Sequence, residues 1–130
     1  MKPKNILYLL LAAAIAVLAA GCRTAPVMDI EESPITVSGK YTQDDVRKAI
    51  IRAGASLGWR MKDIKPGHME ATLLIRKHMA KVDIFYNKSN YSIKYKDSSN
   101  LNYDGANIHS NYNGWIQNLD RAIQAQLAVL

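Results

Sequence analysis

From Trp59 to Lys96 the chain alternates apolar and polar residues almost without a break. Met69, Ala71, Leu73 and Ile75 form one face of a strand, with Glu70, Thr72, Leu74 and Arg76 on the other. Ala80, Val82, Ile84 and Tyr86 then alternate with Lys81, Asp83, Phe85 and Asn87. Tyr91, Ile93 and Tyr95 alternate with Ser92, Lys94 and Lys96. A period of two sends successive side chains to opposite faces of a strand. The connections are short. "KPGH" sets Pro66 and Gly67 where a type II turn wants them, and "NKSN" is a turn of amides and serine. Three such runs in succession, preceded by a shorter one over Trp59–Ile64, predict an antiparallel meander with one buried face.

The flanking segments change period. Val46, Ala49, Ile50, Ala53 and Leu57 keep helical spacing. Thr42 is a suitable N-cap with Asp45 three residues on, and Gly58 is placed to end the helix. Tyr112, Trp115, Ile116, Leu119, Ile123 and Leu127 repeat the pattern, with Asn111 or Asn113 to cap it. Trp59 and Trp115 stand at junctions of elements and are expected in the core. Ile35–Val37 reads as a short first strand. The expected architecture is α+β: strand, helix, three-stranded antiparallel meander, helix. Two helices with one apolar face each would cover one face of a four-stranded sheet and leave the other face wet.

The 130 residues fit one domain, but the first twenty-two do not belong to it. Lys2 and Lys4 precede an uncharged apolar run, Ile6–Ala20, the form of a signal peptide over residues 1–21. The run is short for a permanent span, which takes about 20 apolar residues. Cys22 is the single cysteine, so the domain has no disulfide available. "LAAGC", Leu18 to Cys22, resembles the lipobox of bacterial lipoproteins. The resemblance implies a diacylglycerol on the Cys22 thiol, cleavage before it, and acylation of the new amine, commonly by palmitate. One acyl chain anchors marginally, whereas two or three hold stably. Arg23 stands where the resemblance would put aspartate for inner-membrane retention, which implies an outer-membrane anchor facing the periplasm. Residues 22–34, with two prolines and three acids after Cys22, read as a flexible tether of roughly 20 Å reach, and residues 35–130 as the single domain.

Without Lys2 and Lys4, 15 basic and 11 acidic side chains leave a charge of +4. This mild excess suits anionic envelope material, and no nucleic-acid motif appears. The least scaffold-like stretch is "DSSNLNYDGANIHSNYNGW", Asp97–Trp115. Asn100, Asn102, Tyr103, Asp104, Asn107, His109 and Tyr112 make it a candidate binding loop. Tyrosines among amides form a rigid surface that donates and accepts, and long loops in compact domains are often functional. The structural alternative is equally concrete. Asparagines fill turns, Leu101, Tyr103 and Ile108 tuck under the sheet edge, and an asparagine caps the helix. The spacing Asn100-x-Asn102-x-Asp104-Gly105 is similar to the start of a calcium loop, but Asn111 stands where a bidentate glutamate is needed, so no metal site is expected. A second candidate is the wet sheet face, with Leu74 and Phe85 exposed among charges, Lys94 and Lys96 beside them, and Arg76 able to pair with Asp83. His68, His78 and His109 are too scattered to share a metal.

"AIIRAGASLGW", "YSIKYKDSSNL" and "IHSNYNGWIQNL" resemble a group of small Gram-negative lipoproteins, and that resemblance carries no activity and no catalytic residues. The expected role is a non-catalytic binding or structural module of the envelope, held to the membrane through Cys22, with an envelope protein or cell-wall partner and no cofactor. One alternative is a binder of anionic wall or lipopolysaccharide groups through Lys62, Lys94 and Lys96. The other is a small hydrolase with Asp104 and His109 as acid and base.

Overall fold

The computed structural model describes residues 23–130. The leader of residues 1–21 and the lipid attachment point Cys22 lie outside the described residues. The elements in order are β1 (Thr24–Pro26), β2 (Ile30–Pro34), α1 (Gln43–Ser56), β3 (Arg60–Lys65), β4 (His68–Ile75), β5 (His78–Tyr86), β6 (Asn90–Ser99), β7 (Asn107–His109) and α2 (Ser110–Leu127). The fold is α+β, with both helices packed against one face of an antiparallel sheet. That sheet has five strands, not four, in the order β2-β6-β5-β4-β3, and β1 pairs with β7 in a separate ribbon.

The meander follows the alternation. Met69, Ile84 and Ile93 lie opposite one another on adjacent strands and are fully buried, with Ile30 of β2 extending the row. Ala71 and Val82 form the next buried pair, flanked by Met61 and Tyr95. Gly67 takes φ +84 in the turn after Pro66, a backbone that L side chains rarely adopt. Val46, Ala49, Ile50 and Ala53 of α1 close over this face together with Tyr112, Ile116, Leu119, Ile123 and Leu127 of α2. Each fully buried side chain of isoleucine or leucine size contributes about 1.5–3 kcal/mol, which is what a disulfide-free domain has to rely on. Thr42 and Asp45 form the expected capping box, Thr42 Oγ1 accepting from the Asp45 amide and Asp45 Oδ2 from that of Thr42. Leu57, expected on the apolar face, is 41% exposed, and Trp115 is half-buried where Trp59 is buried. Tyr91 ties the sheet to α2 through its hydroxyl, which donates to Asp120. Burial first, and the Asp120 carboxylate second, push its pKa up to about 12.

The segment expected as a flexible tether is part of the fold. β1 pairs with β7 through Thr24–His109, Ala25–Ile108 and Pro26–Asn107. β2 adds the fifth strand beside β6. Asn113 of α2 clamps the link between them, accepting from the Met28 amide and donating to the Pro26 carbonyl, both at 2.9 Å. Asp29 accepts from the Tyr95 amide at 2.9 Å. The expected strand at Ile35–Val37 is instead the irregular exit from β2. The physical reason is local. A bulge between Ile30 and Ser33, with Glu32 at φ +46, breaks the alternation that marks a strand. Pro26 and Pro34 sit at strand ends on the sheet margins, where a missing N–H costs little. Asn113→Ala removes both clamp hydrogen bonds. The expected outcome is a loss of about 1–2 kcal/mol in denaturant unfolding, with faster amide exchange at Met28.

Candidate functional site

Two surfaces hold the residues that the sequence singles out, and Lys96 borders both. The first is the connection Asn100–Ala106 between β6 and β7. Asn100 and Asn102 adopt φ +59 and +53, the left-handed conformation that asparagine tolerates. Asn100 Nδ2 donates to the Lys77 carbonyl at 2.6 Å, fixing the start of the loop to the β4–β5 turn. Asp104 Oδ1 accepts from the amides of Ala106 and Asn107 at 2.9 and 2.7 Å. These backbone donors, that of Asn107 first, hold its carboxyl below the usual aspartate range. His109, and neither asparagine, caps α2: its Nδ1 accepts from the Asn111 amide at 3.1 Å. Asp104 and His109 are thus each committed to the backbone around them.

Leu101 and Ile108 are buried as expected of residues under the sheet edge, but Tyr103 is not. It is 41% exposed and stacks on Tyr95, ring centroids 4.1 Å apart and 30° between planes. Tyr95 in turn bonds Ser98 through its hydroxyl at 2.7 Å and meets Tyr112 edge-on at 5.7 Å. Tyr95, Lys96, Asp97, Ser98, Asn100 and Tyr103 line an open cleft of about 730 Å³. Behind the stack Tyr112 is fully buried, and its hydroxyl has no partner among the described residues. Burial pushes its pKa well above the ordinary tyrosine value, with the nearby Asp29 carboxylate adding to the shift. The sequence marks this loop through its amides. It does not mark the Tyr95–Tyr103 stack, because Tyr95 reads there as an ordinary inward strand residue.

The second surface is the sheet face away from the helices. Leu74 and Phe85 are exposed at 53% and 41%, but they do not form one patch. Phe85 lies opposite His68 and stacks on its ring at 4.5 Å, whereas Leu74 lies opposite Met79 near the other end of β4. Six residues separate the two rows, roughly 20 Å along the strand. Charge occupies the interval. Glu70 and Asp83 stand directly opposite each other, with Lys62 and Lys94 at the ends of the same cross-strand row. Two like charges facing across strands repel. Lys96 resolves this. A bulge in β6 lets it reach both carboxylates, Glu70 at 2.9 Å and Asp83 at 3.4 Å. His68 lies 2.8 Å from Asp83, Lys81 lies 3.5 Å from Glu70, and Lys94 faces Glu31 at 4.0 Å. Lys96 above all lowers the Glu70 pKa. Asp83 is paired with His68 and Lys96, not with Arg76, which sits in the β4–β5 turn at φ +53. Among the described residues no group of histidine, cysteine and carboxylate side chains is arranged to hold a metal ion. Comparison with protein-family models, curated proteins and solved structures finds no match to this chain.

Lys96→Met leaves Glu70 and Asp83 facing each other without their shared cation. Glu70 has a depressed folded-state pKa, so its contribution is present above the ordinary glutamate range and lost as pH falls through the folded value. The expected result is a lower melting temperature at neutral pH and a difference from the parent that closes in acid, read by thermal unfolding across pH. Tyr112→Phe removes a buried hydroxyl that has no partner among the described residues and keeps the ring. An unsatisfied buried polar group costs about 1–3 kcal/mol, so this variant is expected to match or exceed the parent in thermal stability.

Proposed function

We propose that this chain is a lipid-anchored envelope protein whose folded domain is a non-catalytic binding or structural module. Its anchor is a diacylated Cys22 in the outer membrane, and the domain faces the periplasm. The lipobox-like "LAAGC" supports the anchor. No helix among the described residues is long and apolar enough to cross a membrane. The observation that carries the binding role is the Tyr95–Tyr103 stack at the margin of the open cleft. An exposed aromatic side chain already held by a neighbour loses little entropy on meeting a partner. Asn102 and the Asn100 backbone stand beside it in positive-φ conformations that a partner need not induce.

The use of Asp104 and His109 as backbone acceptors supports this reading over a hydrolase. A binder of anionic wall groups through Lys62, Lys94 and Lys96 is disfavoured by their surroundings. Lys96 and Lys94 face carboxylates, and Lys62 stands across from Glu70. Two measurements test the proposal. The intact mass of the mature chain is expected to begin at Cys22 with its acyl chains, and a chain starting at Met1 with a free thiol would remove the anchor. A photo-crosslinker at Asn102 is expected to capture a defined envelope partner in cells, and Tyr103→Ala to abolish capture while leaving unfolding unchanged within about 1 kcal/mol. Unchanged crosslinks in that variant would exclude the stack as the contact.

A further inference from the structure

The end of the domain nearest Cys22 has a chemistry of its own. Arg23 is fixed there, its carbonyl accepting from the Ser110 amide at 2.9 Å. In the next row the His109 amide donates to the Leu101 carbonyl at 2.8 Å. Beside it Asn100 binds the Lys77 carbonyl at 2.6 Å, and its own carbonyl lies 2.8 Å from His78 Nδ1. Three hydrogen-bonded steps therefore join the residue after Cys22 to the β4–β5 turn, roughly 15 Å in all at strand spacing. Consecutive Cα atoms are about 3.8 Å apart, so a lipid on Cys22 has no tether between it and this end of the fold.

That turn combines apolar and basic side chains. Leu74 and Ile75 are exposed at 53% and 36%, and Arg76 and Lys77 follow them, both exposed. An isolated exposed leucine calls for no explanation. Here two adjacent aliphatic side chains, Leu74 and Ile75, meet a pair of basic residues at this end. Among the described residues no carboxylate pairs with Arg23, Arg76 or Lys77. Lys81, Lys94 and Lys96 each pair with a carboxylate, while Arg60, Lys62 and Lys65 of β3 do not, so what marks the turn is its place beside Arg23 together with the exposed aliphatic pair before it.

We propose that the β4–β5 turn, with Arg23 at its side, docks on the anionic phospholipid headgroups of the bilayer that holds Cys22. Leu74 and Ile75 enter the headgroup region and Arg76, Lys77 and Arg23 meet the phosphates. The proposal rests on the lipid-anchor reading above. Each basic residue close to an anionic surface contributes about fivefold in partitioning, so Arg76 and Lys77 together hold the docked over the undocked orientation by about 25-fold.

The test uses the full acylated protein, purified from membranes and reconstituted in vesicles of phosphatidylcholine with phosphatidylglycerol. A fluorophore is placed on Ser99→Cys, across from Met79 at the docking end, or on Ile64→Cys, exposed near the opposite turn. A headgroup-borne nitroxide is expected to quench the first label several-fold more than the second. Arg76→Gln with Lys77→Gln is expected to lower the docked-to-undocked ratio about 25-fold, and pure phosphatidylcholine, which also removes the share of Arg23, to lower it about 125-fold. The charge-conserving pair Arg76→Lys and Lys77→Arg should restore it, which separates lost charge from lost fold. Equal quenching at the two labels, or a difference indifferent to the glutamine pair, overturns the docking while an acylated mass leaves the anchor standing. A sample whose mass lacks acyl chains and which fails to enter vesicles removes the anchor and this proposal together.

Discussion

Burial of a single sheet face under two helices is the constraint on which the domain depends, since its one cysteine lies ahead of the fold and no crosslink is available. Small residues bring the layers close. Ala49 and Ala53 of α1 and Ala71 and Ala80 of the sheet are all fully buried. Gly54 continues this: a Cβ there would run into the Met61 sulfur of β3. Large side chains fill the remaining space, with Tyr112, Ile116 and Leu119 supplied by α2. The burial of the Tyr112 ring outweighs the cost of its unpartnered hydroxyl, because an aromatic side chain removes far more apolar surface from water than one hydroxyl removes polar surface.

The meander and both helices are legible in the sequence because each buries one face and so repeats with the period of its own geometry. Met69–Leu73 and Ala80–Tyr86 are buried on alternate positions as that rule requires, whereas in β6 Ser92 is buried between Tyr91 and Ile93, where it accepts from the Glu32 amide of the neighbouring β2. The N-terminal strands are not legible, since three-residue β1 is too short to show a period and β2 is bulged. Their prolines and acids then imitate a linker, although Val27, Met28 and Ile30 pack against the core. The candidate loop is legible as a location and only partly as a mechanism. Asn100 and Asn102 take the left-handed turns their type permits, but nothing local in the sequence says that Tyr103 stacks outside instead of tucking in. The bulge that carries Lys96 over Glu70 and Asp83 is likewise invisible, because the alternation leading up to it is unbroken and Asp97–Ser99 after it hold no apolar residue to show the slip.

The two surfaces differ in what they leave available. On the open sheet face Glu70 and Asp83 hold Lys81, Lys96 and His68, so these charges form a stabilising mesh within the fold. In the loop Asn100 and Asp104 are also engaged, yet the Tyr103 ring stays accessible beside a cleft. Next to the loop, at the β4–β5 turn, Arg76 and Lys77 have no carboxylate partner among the described residues and follow the exposed Leu74 and Ile75.

The outer margin of the sheet carries one more consequence. Among the described residues β3 pairs only with β4, so its other side presents backbone groups that are a template for a second chain. Arg60, Lys62 and Lys65 lie along this strand, and its register slips between Asp63 and Lys65. Another copy approaching edge to edge would bring the same cations against them and find no regular ladder to extend. The margin therefore resists polymerisation into a continuous sheet, a safeguard that matters most where many copies share a crowded plane.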